Sequence, residues 1–308
     1  LICGAILVTA LLLADLGNWY VRLALVVLLW LSILGGFDDW LKLTAAARSP
    51  GSREGLLSWE KLLFQLGIGF LVSLAIYNHA GSPDAHALNL PFQRTYPPAQ
   101  LDDTIQLPFA LNPDVLILPG LAFVIIGTLL IAGMSNAVNI TDGMDGLSGG
   151  TLVIASLAMM VLAWIAGEPR AAAFLMVPYV EGSQELMVFA GAMTGACLGF
   201  HWFNVSPASV FMGDTGSLPL GGLLAFFAVV IRQEVLVLLI GGVFIMEVGS
   251  VALQVVWFRL SGGKRIFRCA PIHHHFHLKG WSDHQVVLRF WLIAVILAMI
   301  APASLKLR

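Results

Sequence analysis

The chain is 308 residues long, 58% hydrophobic and only 11% charged, with a mean hydropathy of +0.88. Soluble domains run at about 45–50% apolar and about 25% charged, so this composition excludes a water-soluble globule, a disordered chain and a secreted disulfide scaffold, and it points to a polytopic membrane protein. The net charge of −2 and pI near 6.5 offer no basic surface to nucleic acid, and Cys3, Cys197 and Cys269 are too scattered for a CxxC pair or a disulfide framework.

The chain opens at Leu1 inside an apolar run, with neither an initiator Met nor a basic leader, which reads as a start partway through a longer protein. Crossing a hydrocarbon core of roughly 30 Å takes about 20 apolar residues of helix, or about 17 when flanking side chains snorkel. Nine stretches approach that length, near 1–14, 19–37, 61–77, 114–133, 150–166, 186–203, 217–231, 235–258 and 286–304. They predict an all-α, polytopic transmembrane bundle forming one domain over 1–308. Each span reverses the side, so connectors 38–60, 134–149, 204–216 and 259–285 share one face, and 78–113, 167–185 and the turn at Arg232 share the other. The first set with its flanks holds Lys42, Arg48, Arg53, Lys61, Arg259, Lys264, Arg265, Arg268, Lys279 and Arg289, ten of the sixteen basic residues. The excess assigns that face to the cytoplasm. Segment 78–113, rich in Pro, Asn and Asp and ending near TIQLPFAL, predicts an exterior turn or short hairpin.

The same basic-rich face gathers the polar residues that carry chemistry. GGFDDWLK puts Asp38 and Asp39 at the end of a span. MSNAVNITDGMDGLSGG supplies Asn136, Asn139, Asp142 and Asp145, NVSPASVFMGDTGS supplies Asn204 and Asp214, and KRIFRCAPIHHHFHLKGW supplies a basic cluster followed by His273, His274 and His275. Five carboxylates on one face repel one another unless a cation is shared among them, and an oxygen-only donor set suits magnesium. Lys42, Lys61, Lys264, Arg265 and Arg268 then meet phosphate charge, and acidic metal holders beside basic phosphate holders point to phosphoryl transfer. Taken singly, each motif has a plainer reading: helix caps for Asp38 and Asp39, turns for the Gly-Asp pairs, topology for the Lys and Arg residues. Three consecutive imidazoles point in different directions and make a poor zinc site, so the histidines read as donors to phosphate. Glu247, the ionisable residue within the spans 150–166 and 235–258, reads as an interhelical hydrogen-bond partner. A divalent-cation transporter is the rival from another class, disfavoured because its polar residues belong near the midplane.

NITDGMDGLSGG, FMGDTGSLPLGG and KRIFRCAPIHHHFHLKGW, preceded by GGFDDWLK, resemble the phospho-N-acetylmuramoyl-pentapeptide transferase family, part of the polyprenyl-phosphate N-acetylhexosamine-1-phosphate transferase superfamily. The match runs in order from about residue 2 to the end, and PIHHHF with LKGW discriminates it from the N-acetylglucosamine-1-phosphate transferases, the nearest rival. The resemblance implies ten membrane helices, with the first one absent here, usually as a homodimer in the bacterial cytoplasmic membrane. It implies magnesium-dependent transfer of phospho-MurNAc-pentapeptide from UDP-MurNAc-pentapeptide to undecaprenyl phosphate, giving lipid I and UMP in peptidoglycan synthesis. By motif, Asp38 and Asp39 match the family's aspartate pair, with Asp38 the base or orienter of the lipid phosphate, and Asp214 matches the magnesium ligand. Asn139, Asp142 and Asp145 match the nucleotide-sugar loop, and Asn204 and Phe211 match positions near the uridine, where Phe211 stacks on the base. Lys42, Lys61, His273, His274 and His275 match groups around the diphosphate and lipid phosphate. Three departures stand out: the upstream Thr-Pro-Thr-Met-Gly-Gly segment is reduced to LICGA, His277 replaces a Glu after HHHF, and the stretch from Asp39 to Lys61 is a few residues longer.

Overall fold

The computed structural model describes residues 1–45, 54–79, 81, 83–97 and 110–306. Its helices are α1 (Ile2–Leu13), α2 (Trp19–Thr44), α3 (Ser58–His79), α4 (Gly120–Thr141), α5 (Leu147–Gly167), α6 (Pro169–Leu175), α7 (Leu186–Asn204), α8 (Gly213–Val230), α9 (Glu234–Ile240), α10 (Gly242–Leu260), α11 (Ile272–His277) and α12 (Asp283–Lys306). Among the described residues, eight helices are long and apolar enough to cross a membrane. These account for eight of the nine expected stretches; the first is the 12-residue apolar helix α1.

Two boundaries also differ from the hydropathy reading. The stretch 235–258 is two helices, because the chain breaks at Gly241 between α9 and α10. Helix α2 runs on to Thr44 and α4 to Thr141, so Asp38, Asp39, Asn136 and Asn139 sit on helices and not in connectors. Hydropathy falls where polar residues begin, but the backbone stays helical as long as those side chains find partners inside the protein. On the opposite face a two-residue strand Ala87–Leu88 pairs antiparallel with Leu116–Ile117, forming a minimal hairpin around the expected exterior segment. Most of TIQLPFAL, together with Arg48 and Arg53, lies outside the described residues.

Helix α8 is the centre of the bundle, buried along nearly all its length between α2 and α4. Its approach to α4 requires a glycine: a β-carbon at Gly221 would lie 2.3 Å from the carbonyl oxygen of Met134. Without a hydrophobic drive between helices in lipid, such close backbone contact and interhelical hydrogen bonds are what hold the bundle together. The bonds are present. Gln65 Nε2 donates to Ser135 Oγ (3.0 Å), Ser135 Oγ donates to Leu218 O (2.9 Å), and Asn136 Nδ2 donates to Gln65 Oε1 (2.6 Å), tying α3, α4 and α8 together. Ser156 and Thr194 share a 2.8 Å bond between α5 and α7.

At the end of α8 away from Asp214, the fully buried Arg232 donates from Nε to Ala87 O and from Nη1 to Val229 O, and pairs with Glu234. Asn89 Nδ2 donates to Gln233 Oε1 (2.8 Å), so the hairpin and the α8–α9 turn are one polar unit. Gly133 on α4, in contrast to Gly221, faces open space. Gly221→Ala is therefore expected to destabilise the bundle by about 1–3 kcal/mol through overpacking, seen as a lower thermal-unfolding midpoint in detergent, whereas Gly133→Ala leaves the midpoint level or raises it.

Candidate active site

Two consecutive residues on a helix point about 100° apart, and the aspartates of α2 use that divergence. Asp38 is fully buried. Its Oδ2 lies 2.6 Å from Lys42 Nζ, one turn further along α2, and 3.3 Å from Lys61 Nζ at the start of α3, while its Oδ1 accepts the Leu56 amide at 2.7 Å. Asp39 turns to the N-terminus of α8, where it accepts from Asp214 N (3.1 Å), Thr215 N (2.9 Å) and Thr215 Oγ1 (2.7 Å). It thus caps α8 from a neighbouring helix, satisfying amides that have no intrahelical partner and complementing the positive end of the dipole. Close approach is again glycine-dependent: a β-carbon at Gly35 would fall 2.2 Å from the Asp214 carbonyl oxygen.

Asp214, in the first turn of α8, collects the rest. Lys61 Nζ is 2.9 Å from its Oδ2, Lys42 Nζ 3.3 Å from its Oδ1, and Asn139 Nδ2 of α4 donates to Oδ1 at 2.9 Å and to Ser217 Oγ at 2.9 Å. Asp38, Asp39 and Asp214 each offer an oxygen within 4.8 Å of the others, a cluster that could hold a metal ion. With three carboxylates against two ammonium groups, one carboxylate is in excess, and the all-oxygen donor set fits a hard divalent cation.

A cleft of about 370 Å³ opens beside this cluster, lined by Asn139, Asp142, Asp145, Asn204, Phe211 and Asp214 among others. The Phe211 ring is 74% exposed and free for stacking. Asn204 accepts the Gly146 amide (3.0 Å) and donates to Val210 O (2.8 Å), and Asp145 accepts the Ala208 amide (3.0 Å), so both pin the cleft-forming connectors to one another. Burial first, and then the charges of Asp214 and Asp39, push the Asp142 carboxyl up from its ordinary 3.8 to about 7.

The histidines divide. A β-carbon at Gly143 would stand 3.1 Å from His273 Nε2 and 3.9 Å from His274 Nε2, so these two rings face the turn that carries Asp142. Burial, with the charge of His273 second, pushes the His274 imidazole below its ordinary value. His275 departs from the sequence reading: its Nδ1 accepts the Arg268 amide at 3.0 Å and its ring lies edge-on to Phe267, so it braces its own connector and is not brought to the cleft. His277 Nδ1 lies 2.8 Å from Asp283 Oδ1, tying α11 to the start of α12. Arg268 donates to Leu278 O, and Lys264 and Arg265 are exposed. Sequence reasoning missed Thr215 and Ser217, although both stand beside Asp214 within FMGDTGSLPLGG, and the Leu56 amide, which no motif marks.

Fold and site together describe a polytopic helical bundle that gathers three carboxylates, two ammonium groups and an open cleft at one end. Residues 21–232 match the family model Glycosyl transferase family 4. The chain is 43% identical over 310 positions to a phospho-N-acetylmuramoyl-pentapeptide-transferase of Desulfotalea psychrophila, and 42% identical to the transferases of the same name from Syntrophus aciditrophicus and Thermodesulfovibrio yellowstonii. Each alignment covers 100% of this chain and 79% of the relative. The chain belongs to glycosyl transferase family 4, among the phospho-N-acetylmuramoyl-pentapeptide-transferases.

Two outcomes follow from this geometry. Asp39→Ala, which removes a helix cap, lowers the thermal midpoint by the equivalent of about 0.5–2 kcal/mol, whereas Asp214→Asn leaves the midpoint near the parent's because the capping amides are untouched. Asp142 titrates higher in the folded chain than in the unfolded one, so the folded state binds the extra proton between about pH 4 and 7. Its contribution to stability therefore falls as pH rises across that window and is level above it. Thermal midpoints of parent and Asp142→Asn, without metal or substrate, should converge as the pH falls to about 4 and separate by about pH 7.5, with the variant the more stable.

Proposed function

We propose that this chain transfers phospho-MurNAc-pentapeptide from UDP-MurNAc-pentapeptide to undecaprenyl phosphate, forming lipid I and UMP at the cytoplasmic face of a bacterial membrane. The observation that carries the reading is the convergence of Asp38, Lys42, Lys61, Asn139 and Asp214 from four helices beside an open cleft rimmed by Phe211. In the reaction, an oxygen of the lipid phosphate attacks the sugar-linked phosphorus, a new P–O bond forms, and the bond to the bridging oxygen breaks so that UMP leaves with that oxygen and its electron pair.

Each residue has a role that its surroundings support. Asp38 orients the lipid phosphate and takes its proton if it arrives protonated, the buried carboxylate being aimed by the Leu56 amide. Lys42 and Lys61 exchange carboxylate partners for phosphate oxygens and so offset charge as it develops on the leaving group. Asp39 holds Asp214 in place. Phe211 stacks on the uracil, and Asn139, Asp142, Asp145 and Asn204 shape the nucleotide-sugar pocket, Asp145 and Asn204 by fixing its connectors. His273 and His274 face the diphosphate from the Gly143 side. Asp214, with Asp38, is the natural holder of magnesium, which when bound polarises phosphoryl oxygens and neutralises charge.

A homodimer is the expected assembly on family grounds. The transporter alternative loses its foothold because Glu247, the carboxylate of α10, is engaged by His273. UMP release measured with UDP-MurNAc-pentapeptide, undecaprenyl phosphate and magnesium tests the reading. The parent is active with magnesium and inactive in chelator, and Asp214→Asn falls at least about 100-fold, the scale of losing a principal electrostatic group. Product formed from UDP-GlcNAc and none from UDP-MurNAc-pentapeptide would overturn the substrate assignment.

A further inference from the structure

Glu247 lies in the second turn of α10, a helix whose buried residues are only Val243, Phe244, Glu247 and Ser250. A carboxylate enclosed in a membrane helix is costly unless paired, so its position demands a partner. The partner is His273: Glu247 Oε2 is 3.0 Å from its Nδ1 and 3.5 Å from its backbone amide, and both side chains are fully buried. The two remaining atoms of the pair, Glu247 Oε1 and His273 Nε2, have no hydrogen-bond partner, and Nε2 faces Gly143, beside the cleft residue Asp142.

We propose that Glu247 is a positioning residue of the transfer reaction, holding the His273 proton on Nδ1 and the ring in one orientation so that Nε2 is the nitrogen presented to the substrate. Which nitrogen of an imidazole carries the proton is set by what the other face of the ring meets, and a carboxylate at Nδ1 fixes it there. The pair is also the anchor of α11. That helix is six residues long with no side-chain cap at its start, and the backbone amide of His273 points to the same carboxylate oxygen. Loss of Glu247 therefore frees both the ring and the segment beneath it. The geometry follows a general logic in which a buried acid orients a histidine without itself touching the reactant.

This inference rests on the proposed transfer reaction, and its test separates the two. Purified protein is assayed for UMP release and for calorimetric binding of UDP-MurNAc-pentapeptide, with thermal midpoints recorded for every variant. Glu247→Leu is expected to lower kcat by about 10–100-fold, the usual cost of removing a residue that orients a functional histidine. Glu247→Gln, which keeps an acceptor opposite Nδ1–H, is expected to recover most of that loss. In a His273→Asn background, Glu247→Leu is expected to add nothing further to the loss of turnover or binding. If Glu247→Leu lacks a thermal transition, Glu247→Asp takes its place in the cycle under the same criterion. Effects that multiply in the double variant, or a Gln variant as impaired as the Leu variant, would overturn the positioning role while leaving the reaction intact. A parent that releases no UMP sinks the reaction itself.

Discussion

An α-helix ends in four amides without intrahelical partners and a partial positive charge, and inside a membrane protein that end cannot simply be left to water. In α8 it is met by the carboxylate of Asp39, which takes two amides and a hydroxyl of the Asp214–Thr215 pair. This contact ties α2 to the most enclosed of the described spans and fixes where Asp214 can be. Everything chemical in the site is measured from Asp214: the two lysines, the amide of Asn139 and the mouth of the cleft. Asp38 and Asp39 look equivalent in sequence, yet the helix sends one toward the lysines and the other toward a backbone. The aspartate pair thus divides into a buried carboxylate that gathers two ammonium groups and one that caps the helix carrying Asp214.

The lysines explain how so many acids coexist. Lys42 and Lys61 each bridge Asp38 and Asp214, so neither ammonium belongs to a single carboxylate. On the proposed reaction, a phosphate would offer these ammonium groups the same kind of oxygen, so the lysines would change partners without losing an ion pair. The excess carboxylate that remains is the reason a cation fits among the three aspartates. The raised carboxyl of Asp142 reflects the same imbalance at the edge of the cluster, where burial and two neighbouring negative charges favour the neutral acid.

Composition and hydropathy were enough to read a polytopic helical bundle and the alternation of its connectors, since burial in lipid demands long apolar runs that nothing else in a protein mimics. They misjudged the ends of those runs. Asp38, Asp39, Asn136 and Asn139 look like connector residues, but each has an internal partner, and the helix continues through them. The break at Gly241 was invisible because both halves are equally apolar. Within the candidate site, Asp38, Lys61, Asn139 and Asp214, singled out from separate motifs, lie against one another in space. The roles were less legible. Asn204 and Asp145 read as substrate groups, yet their visible partners are backbone atoms of neighbouring connectors. His275 reads like its neighbours and points elsewhere, because adjacent residues on a helix cannot all face one cleft.

Helix α8 is secured at both ends by buried polar groups, Asp39 at one and the Arg232, Glu234 and Ala87 contacts at the other. Between them its flank is packed backbone to backbone against α4 at Gly221, which leaves little room to slide or rotate. A one-residue shift would carry Asp214 about 1.5 Å along the axis and 100° around it, enough to lose both lysines. Precision at the charge cluster is therefore a property of the whole span, and the hairpin at the opposite end of α8 contributes to it. The His-bearing segment is held differently. Phe276 packs on Trp281 and Phe290, His277 meets Asp283 of α12, and Gln254 of α10 accepts the Ile266 and Phe267 amides. The rigid side of the cleft is thus built on α2, α4 and α8, and on the other side it is the buried Glu247–His273 pair that sets the orientation of the His273 ring.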